Sequence, residues 1–284
     1  MSWDDPEYYE PELDENHCPG PEDDPSVQEL QPQLLALFDA DPEQVFYESQ
    51  LAVRFEDRYF HWVTTRALKD LRENGRVGSE LQELSPKTPL RFYFHRRNRY
   101  WKRRAEEVRK LVRLFSDQAF TRALGVQGEL LLDAGLPQVG FQPMGRDVRS
   151  WGDRTWSLSG HDLDRVFHRD GIYYGTEIKN RLGYIPQEEL IAKLQMCRQL
   201  QLTPLFVARM MPKTYIEEVR RAGGFSLIMK YQFYPISHRT LALRVKTELG
   251  LPVDCPTRLQ DSTLQRFLKW HEARVKQMKP APAL

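Results

Sequence analysis

Two short runs that meet at Asp170-Gly171 constrain this chain more than any other feature. Residues 160–181 read GHDLDRVFHRDGIYYGTEIKNR. An Asp-Gly pair between such runs is a strong signal for a two-residue hairpin turn. With those two residues in the turn, Asp164 falls opposite Glu177 and Asp162 opposite Lys179. Cross-strand partners share a face, as do residues i and i+2 along one strand. Asp162, Asp164, Glu177 and Lys179 are therefore expected on one side, and Leu163, Phe167, Tyr174 and Ile178 on the core-facing side. Directly opposed Cβ atoms lie ~4.5–5.5 Å apart, close enough for two carboxylates to share one ion. Opposed anions destabilise a hairpin unless a cation relieves them. Lys179 supplies part of that relief, and a divalent metal would supply more. Hard oxygen ligands suit Mg2+ or Mn2+ rather than zinc. Such an ion lowers the pKa of a bound water and stabilises charge growing on a phosphate. The same residues also suit a charged, solvated strand face held by ordinary salt bridges.

The charge of the rest of the chain has a direction. The formal net charge is only +1, yet residues 1–30 hold eleven acids and no Lys or Arg. The remaining residues carry 41 basic against 29 acidic side chains. A basic body behind an acidic leader is a common layout in nucleic-acid proteins. Residues 1–32, rich in Pro, Asp and Glu, are expected to be a disordered tail. No apolar run approaches the ~18 residues of a membrane span. The N-terminus has neither the basic nor the apolar region of a secretory signal. Cys18, Cys197 and Cys255 are too scattered for a disulfide framework or a zinc knuckle, so a reducing, cytoplasmic setting is expected. At 284 residues and 40% hydrophobic composition, the chain has material for about two domains with sizeable cores.

Residues 33–98 carry the first of these. LLALF and ESQLAVRF give short helices. A third helix follows, with Val63, Ala67 and Leu71 at i, i+4, i+8, Leu68 beside them and Gly75 at its C-cap. RVGSELQEL and LRFYFHR then read as strands around the turn-rich SPKTP. Three helices and a hairpin in this order resemble a winged helix-turn-helix domain. That resemblance implies that Thr64, Thr65, Arg66 and Lys69 face a DNA major groove. A solvated face on a protein-interaction module is the other use of such a helix. RFYFHRRNRYWKRR, residues 91–104, has seven basic residues, five aromatics and no acid. Arg96, Arg97, Arg99, Lys102, Arg103 and Arg104 can neutralise phosphates while the rings stack or pack beneath them. The run leads into a basic linker helix at 99–117.

Residues 118–284 form the second expected domain. A helix at 118–135, with Phe120, Leu124, Leu131 and Leu132 as its apolar positions, precedes the hairpin. A second helix follows it, with Leu190, Ile191, Leu194 and Cys197 on one stripe. The strand TPLFVARMM, a helix, a Gly-Gly turn and another strand come next. A C-terminal amphipathic helix buries Leu264, Phe267 and Leu268.

Asp164 followed by Glu177-Ile178-Lys179 resembles the signature of the PD-(D/E)xK nucleases, in the form seen in restriction-like and junction-resolvase-like members. The order of elements over about 115–235 agrees. The resemblance implies an α/β protein: a restriction-endonuclease-like α/β/α core with a mixed central sheet, behind a small winged-helix α+β domain. It implies that Asp164, Glu177 and the Ile178 carbonyl bind Mg2+ or Mn2+ and that Lys179 is catalytic. Glu129 matches an acid that many members carry on the first helix. Gln195 falls where some place a glutamine, although the tyrosine that often follows is absent. Leu163 stands where the signature has proline, which leaves Asp162 as a competitor for the metal. The expected function is metal-dependent DNA endonuclease. The alternatives are a non-catalytic DNA-binding regulator, or an assembly-dependent component of a defence or mobile-element system. DNA, and a homodimer or larger nucleoprotein assembly, are the expected partners.

Overall fold

The structure, a computed structural model, describes residues 24–85 and 88–278. Contacts divide them into two compact units. One takes residues 24–121 and 243–251, the other 122–242 and 252–278.

The first unit opens with α1 (Pro25–Ala40). The Asp24 carboxylate accepts a hydrogen bond from the Ser26 backbone N–H at 2.7 Å, and Pro25 occupies the first turn, a strong start signal. Val27 and Leu30 continue the buried stripe of Leu34 and Phe38 at helical spacing. The helix therefore reaches back into the stretch expected to be disordered. Residues 25–32 are helical, because two apolar residues on the right face outweigh the surrounding acids. The rest of the expected tail, residues 1–23, lies outside the described residues. β1 (Val45–Tyr47), α2 (Glu48–Phe55), α3 (His61–Glu73), β2 (Val77–Ser85) and β3 (Thr88–His95) follow. The strands form an antiparallel sheet in the order β1-β3-β2. Leu30, Leu34, Phe38, Leu51, Val63 and Leu68 fill the core between helices and sheet. Each such side chain contributes roughly 1.5–3 kcal/mol by leaving water. α4 (Trp101–Phe115) then carries the basic run onward.

The second unit is a layered α/β structure. Its elements are α5 (Gln118–Gly135, from Arg122 on), β4 (Gln142–Val148), β5 (Ser150–Trp151), β6 (Arg154–Thr155), β7 (Leu163–Arg169), β8 (Ile172–Lys179), α6 (Gln187–Leu200), β9 (Thr203–Ala208), α7 (Lys213–Arg221), β10 (Phe225–Ile228), β11 (Gln232–Phe233), the start of α8 (Arg239–Leu249), whose residues from Leu243 on belong to the first unit, β12 (Val253–Asp254) and α9 (Asp261–Met278). The main sheet is mixed, in the order β10-β9-β8-β7-β4. β4, β7 and β8 run antiparallel, and β8, β9 and β10 run parallel. Arg169 pairs with Ile172 and Arg165 with Thr176, the register that an Asp-Gly turn requires. Asp170 and Gly171 have φ of 49° and 77°, both positive, as this tightest turn demands.

Both sheet faces are covered. On one, Phe167, Tyr174, Leu205 and Val207 meet Leu132 of α5 and Phe267 of α9. His271 of α9 joins the Tyr174 hydroxyl at 2.6 Å and the Asp170 carboxylate at 2.9 Å, tying the last helix to the hairpin. On the other face, Val166 and Leu202 meet Met196, Cys197 and Leu200 of α6. Two expectations fail here. Leu163 belongs to this second face, not with Phe167 and Tyr174: it opens β7, and its side chain fills the space that Gly175 leaves empty. Ile191 is 41% exposed. The buried stripe of α6 is Leu190, Lys193, Met196, Cys197 and Leu200.

Candidate active site

Strand pairing brings the C-terminal end of β8 beside the start of β7, and α6 lies across both. Gly175 allows that approach. A Cβ at this position would come within 2.8 Å of Leu163 Cδ1 and 2.9 Å of Cys197 Sγ, so a larger residue would hold the helix off the sheet. The close packing delivers two charged residues of α6, Glu189 and Lys193, onto Glu177 and Lys179.

Asp164 is 8% exposed and Glu177 only 1%. Glu177 Oε1 lies 2.8 Å from Lys179 Nζ, and Oε2 lies 2.5 Å from Lys193 Nζ. Lys179 also contacts Glu189 at 2.8 Å. Asp164 Oδ2 accepts the Ile178 backbone N–H at 2.5 Å. Burial, and after it the charge of Glu177, push the Asp164 carboxyl up to about 8, and the two lysines and the Ile178 N–H offset only part of this. Burial alone would lower the Lys179 pKa; the anions Glu177, Glu189 and Asp164 outweigh it and hold the ammonium above its ordinary value. Burial would likewise raise Glu189, and Lys179 reverses it. Cys197, beneath the cluster, is no nucleophile: burial pushes its thiol up to about 12.

The residues present fit a hard divalent cation. Both Glu177 oxygens are buried and, although they face ammonium groups, take no well-formed hydrogen bond. Two carboxylates are an ordinary protein share for Mg2+, which keeps several waters. Among the described residues no three acidic, His or Cys side chains gather into an all-side-chain cage. A bound ion would therefore lean on a backbone carbonyl and water.

Asp164, Glu177, Ile178 and Lys179 come together; the secondary candidates do not join them. Glu129 bonds Arg165 at 2.6 Å, and Arg165 also takes Asp133 at 2.9 Å. Arg165 follows Asp164 on β7 and so points to the opposite face, which carries Glu129 away with it. Asp162 precedes β7, and its carbonyl accepts a hydrogen bond from Lys193. Gln195 is exposed on the outer side of α6, two positions past Lys193. Lys193 and Glu189 are the residues that sequence reading missed. The available signal was a lysine three residues from Leu190 and four from Cys197, inside an apolar stripe.

In the first unit, Thr64 does not face outward as expected. It is 0% exposed, because the apolar face of α3 is broad enough to take in positions 63, 64, 67, 68 and 71. Thr65 turns its hydroxyl to the Glu48 carboxylate. Arg66 is exposed and pairs with Asp70 at 3.2 Å, and Lys69 is half-buried. Arg96, Arg97, Arg99, Lys102, Arg103 and Arg104 are all exposed. Arg96 donates to the Gly75 carbonyl at 2.6 Å, and Arg103 and Arg104 share Glu107. The rings lie beneath them: Trp101 stacks on Phe94 at 4.4 Å, and Phe92 and Tyr93 are buried.

No family model matches the chain, and no curated protein does. Among solved structures, a chain of the EndoMS–dsDNA2 complex is similar at 14% identity and a TM-score of 0.29. The match covers 53% of this chain and 63% of that one, so less than two thirds of the neighbour's length is spanned. No helix among the described residues is long and apolar enough to cross a membrane.

Proposed function

We propose that this chain is a metal-dependent DNA endonuclease of the PD-(D/E)xK type. The observation that carries the reading is the meeting of Asp164, Glu177 and Lys179 at one end of a buried hairpin in a mixed sheet, with a helix closing over them. Asp164, Glu177 and the Ile178 carbonyl would hold Mg2+ or Mn2+. When bound, such an ion lowers the pKa of water and takes up charge on phosphate oxygen. Lys179, held protonated by its anionic neighbours, is no proton acceptor near neutral pH. Its part is to orient the attacking water and to donate to a non-bridging phosphate oxygen as charge develops there. Glu189 keeps that ammonium aimed at the cluster. DNA is held by the first unit. The element order of α1 to β3, with an antiparallel β1-β3-β2 sheet, supports a winged helix whose wing is β2–β3. Arg66 and Lys69 would meet the groove, and Arg97, Arg99, Lys102, Arg103 and Arg104 the phosphates. Cutting both strands calls for two sites, hence a homodimer or a larger assembly on DNA.

The test is cleavage of duplex, single-stranded and branched DNA and of RNA with Mg2+ or Mn2+. Lys179→Ala and Glu177→Gln are expected to lose activity by on the order of 100-fold or more while DNA affinity stays near wild type. Wild-type protein that cuts none of these substrates would overturn the reading. A second reading, a non-catalytic DNA-binding regulator or assembly component, is favoured by one observation: Lys179 and Lys193 together neutralise Glu177 without any added ion.

A further inference from the structure

Glu189 and Lys193 stand four residues apart on one face of α6, and Glu177 and Lys179 two apart on one face of β8. Their contacts form a continuous chain of alternating charge. Lys193 meets Glu177 at 2.5 Å, Glu177 meets Lys179 at 2.8 Å, and Lys179 meets Glu189 at 2.8 Å. Two cations and two anions cancel, and Asp164 stands beside them as a further carboxyl group. Lys193 is the unusual member. It is 3% exposed, and a buried ammonium is costly unless a specific charge requires it. Its two partners are the Glu177 carboxylate and the Asp162 carbonyl, so it bridges β8 to the segment that leads into Asp164.

A divalent ion held by Asp164 and Glu177 needs negative charge that Lys193 already uses. We infer that Lys193 is an internal counter-cation that competes with the metal for Glu177, holding the carboxylate in place in the metal-free protein and weakening ion binding. The inference rests on the reading of Asp164 and Glu177 as metal ligands. It separates two kinds of lysine. One that only packs the site would, when removed, loosen Glu177 and weaken metal binding. A competitor, when removed, strengthens it.

Mn2+ titration of the full-length chain, followed by the loss of the free-ion paramagnetic resonance signal, distinguishes them. Lys193→Met is expected to bind Mn2+ at least about ten-fold more tightly than wild type, because one repelling charge a few ångströms from the ion is gone. Lys193→Gln, which keeps a donor for the Asp162 carbonyl, should do the same and serves if the methionine variant does not fold. Lys193→Arg keeps the charge and should bind no more tightly than wild type. In chelator both neutral variants should melt below wild type, and both should gain more from added Mn2+. If wild type binds Mn2+ and the neutral variants bind equally or more weakly, the inference is overturned and the metal-site reading stands. Mn2+ bound by the neutral variants alone supports the inference and moves the protein toward the non-catalytic reading. Binding by none of them overturns both.

Discussion

Without metal, Asp164 binds a proton that the unfolded chain has already released over a wide range of pH. Its carboxyl sits at about 8 in the folded protein against 3.8 ordinarily, because of burial first and Glu177 second. A group bound more tightly to its proton in the folded state stabilises below its unfolded pKa and stops doing so as pH rises through the folded one. Stability from Asp164 is thus full below about pH 4 and gone above about pH 8. Asp164→Asn, which mimics the protonated form, should gain on wild type steadily from pH 4 to 8 and hold a level advantage above that, while losing cleavage. Scanning calorimetry in chelator reads this; a gap independent of pH would show that Asp164 does not titrate so. Thr64 gives a contrasting case. Its buried hydroxyl has no hydrogen-bond partner, and such a group costs about 1–3 kcal/mol. Thr64→Val should therefore match or exceed wild type in urea midpoint and leave DNA affinity unchanged, whereas Arg66→Ala should weaken binding. A fall in affinity with stability intact, read by fluorescence anisotropy, would place Thr64 back at the nucleic acid.

The hairpin shows how two glycines only about 13 Å of strand apart, four residues at ~3.3 Å each, can matter for different reasons. Gly171 has positive φ and nothing within 4 Å of an added Cβ. Gly171→Ala should cost about 1 kcal/mol of conformational strain and leave the site untouched. Gly175→Ala would drive a Cβ into Leu163 and Cys197, an overpacking that costs typically 1–3 kcal/mol. It would also lift α6 and, with it, Glu189 and Lys193. Urea melts should rank Gly175→Ala as the worse variant, and only it should change Mn2+ binding; equal effects would mean that α6 adapts to the extra methyl. This hairpin was legible in the sequence because an Asp-Gly turn fixes register, and register fixes which carboxylates face each other. The far side of the site was not. A lysine on a helix reads as solvated surface, and only its spacing from Leu190 and Cys197 in LIAKLQMCRQL marks Lys193 as the charged member of a buried stripe. The start of α1 was hidden in a similar way, by acids around Val27 and Leu30. Thr64 was misplaced because a stripe drawn through Val63, Ala67 and Leu71 is narrower than the face the core covers.

At the scale of the whole molecule, charge is distributed by segment rather than by net value. Residues 1–23 contain nine acids and no Lys or Arg; without them the chain has 41 basic against 31 acidic residues. The cut belongs at residue 23, because Asp24 caps α1 and a deeper deletion would remove the buried Val27 and Leu30. On the proposed function, in which the basic run at 96–104 meets DNA phosphates, an anionic segment of the same chain would compete for those arginines. The competition is electrostatic, so salt screens it over a Debye length of roughly 10 Å at 0.1 M. Deleting residues 1–23 should therefore tighten DNA binding most at low salt, with the gain shrinking between roughly 50 and 200 mM. Replacing Arg97, Arg103 and Arg104 with glutamine should weaken binding and also blunt the effect of the deletion, because both changes act on one surface. Arg96 serves less well in this test, since its guanidinium already holds the Gly75 carbonyl. Titrations of the four proteins, with and without each change, at several salt concentrations measure the coupling. Equal affinity of full-length and truncated chains at the lowest salt would show that the acidic segment does not contend for the DNA surface. A gain that persists undiminished at 200 mM would point to a steric block in place of a charged competitor.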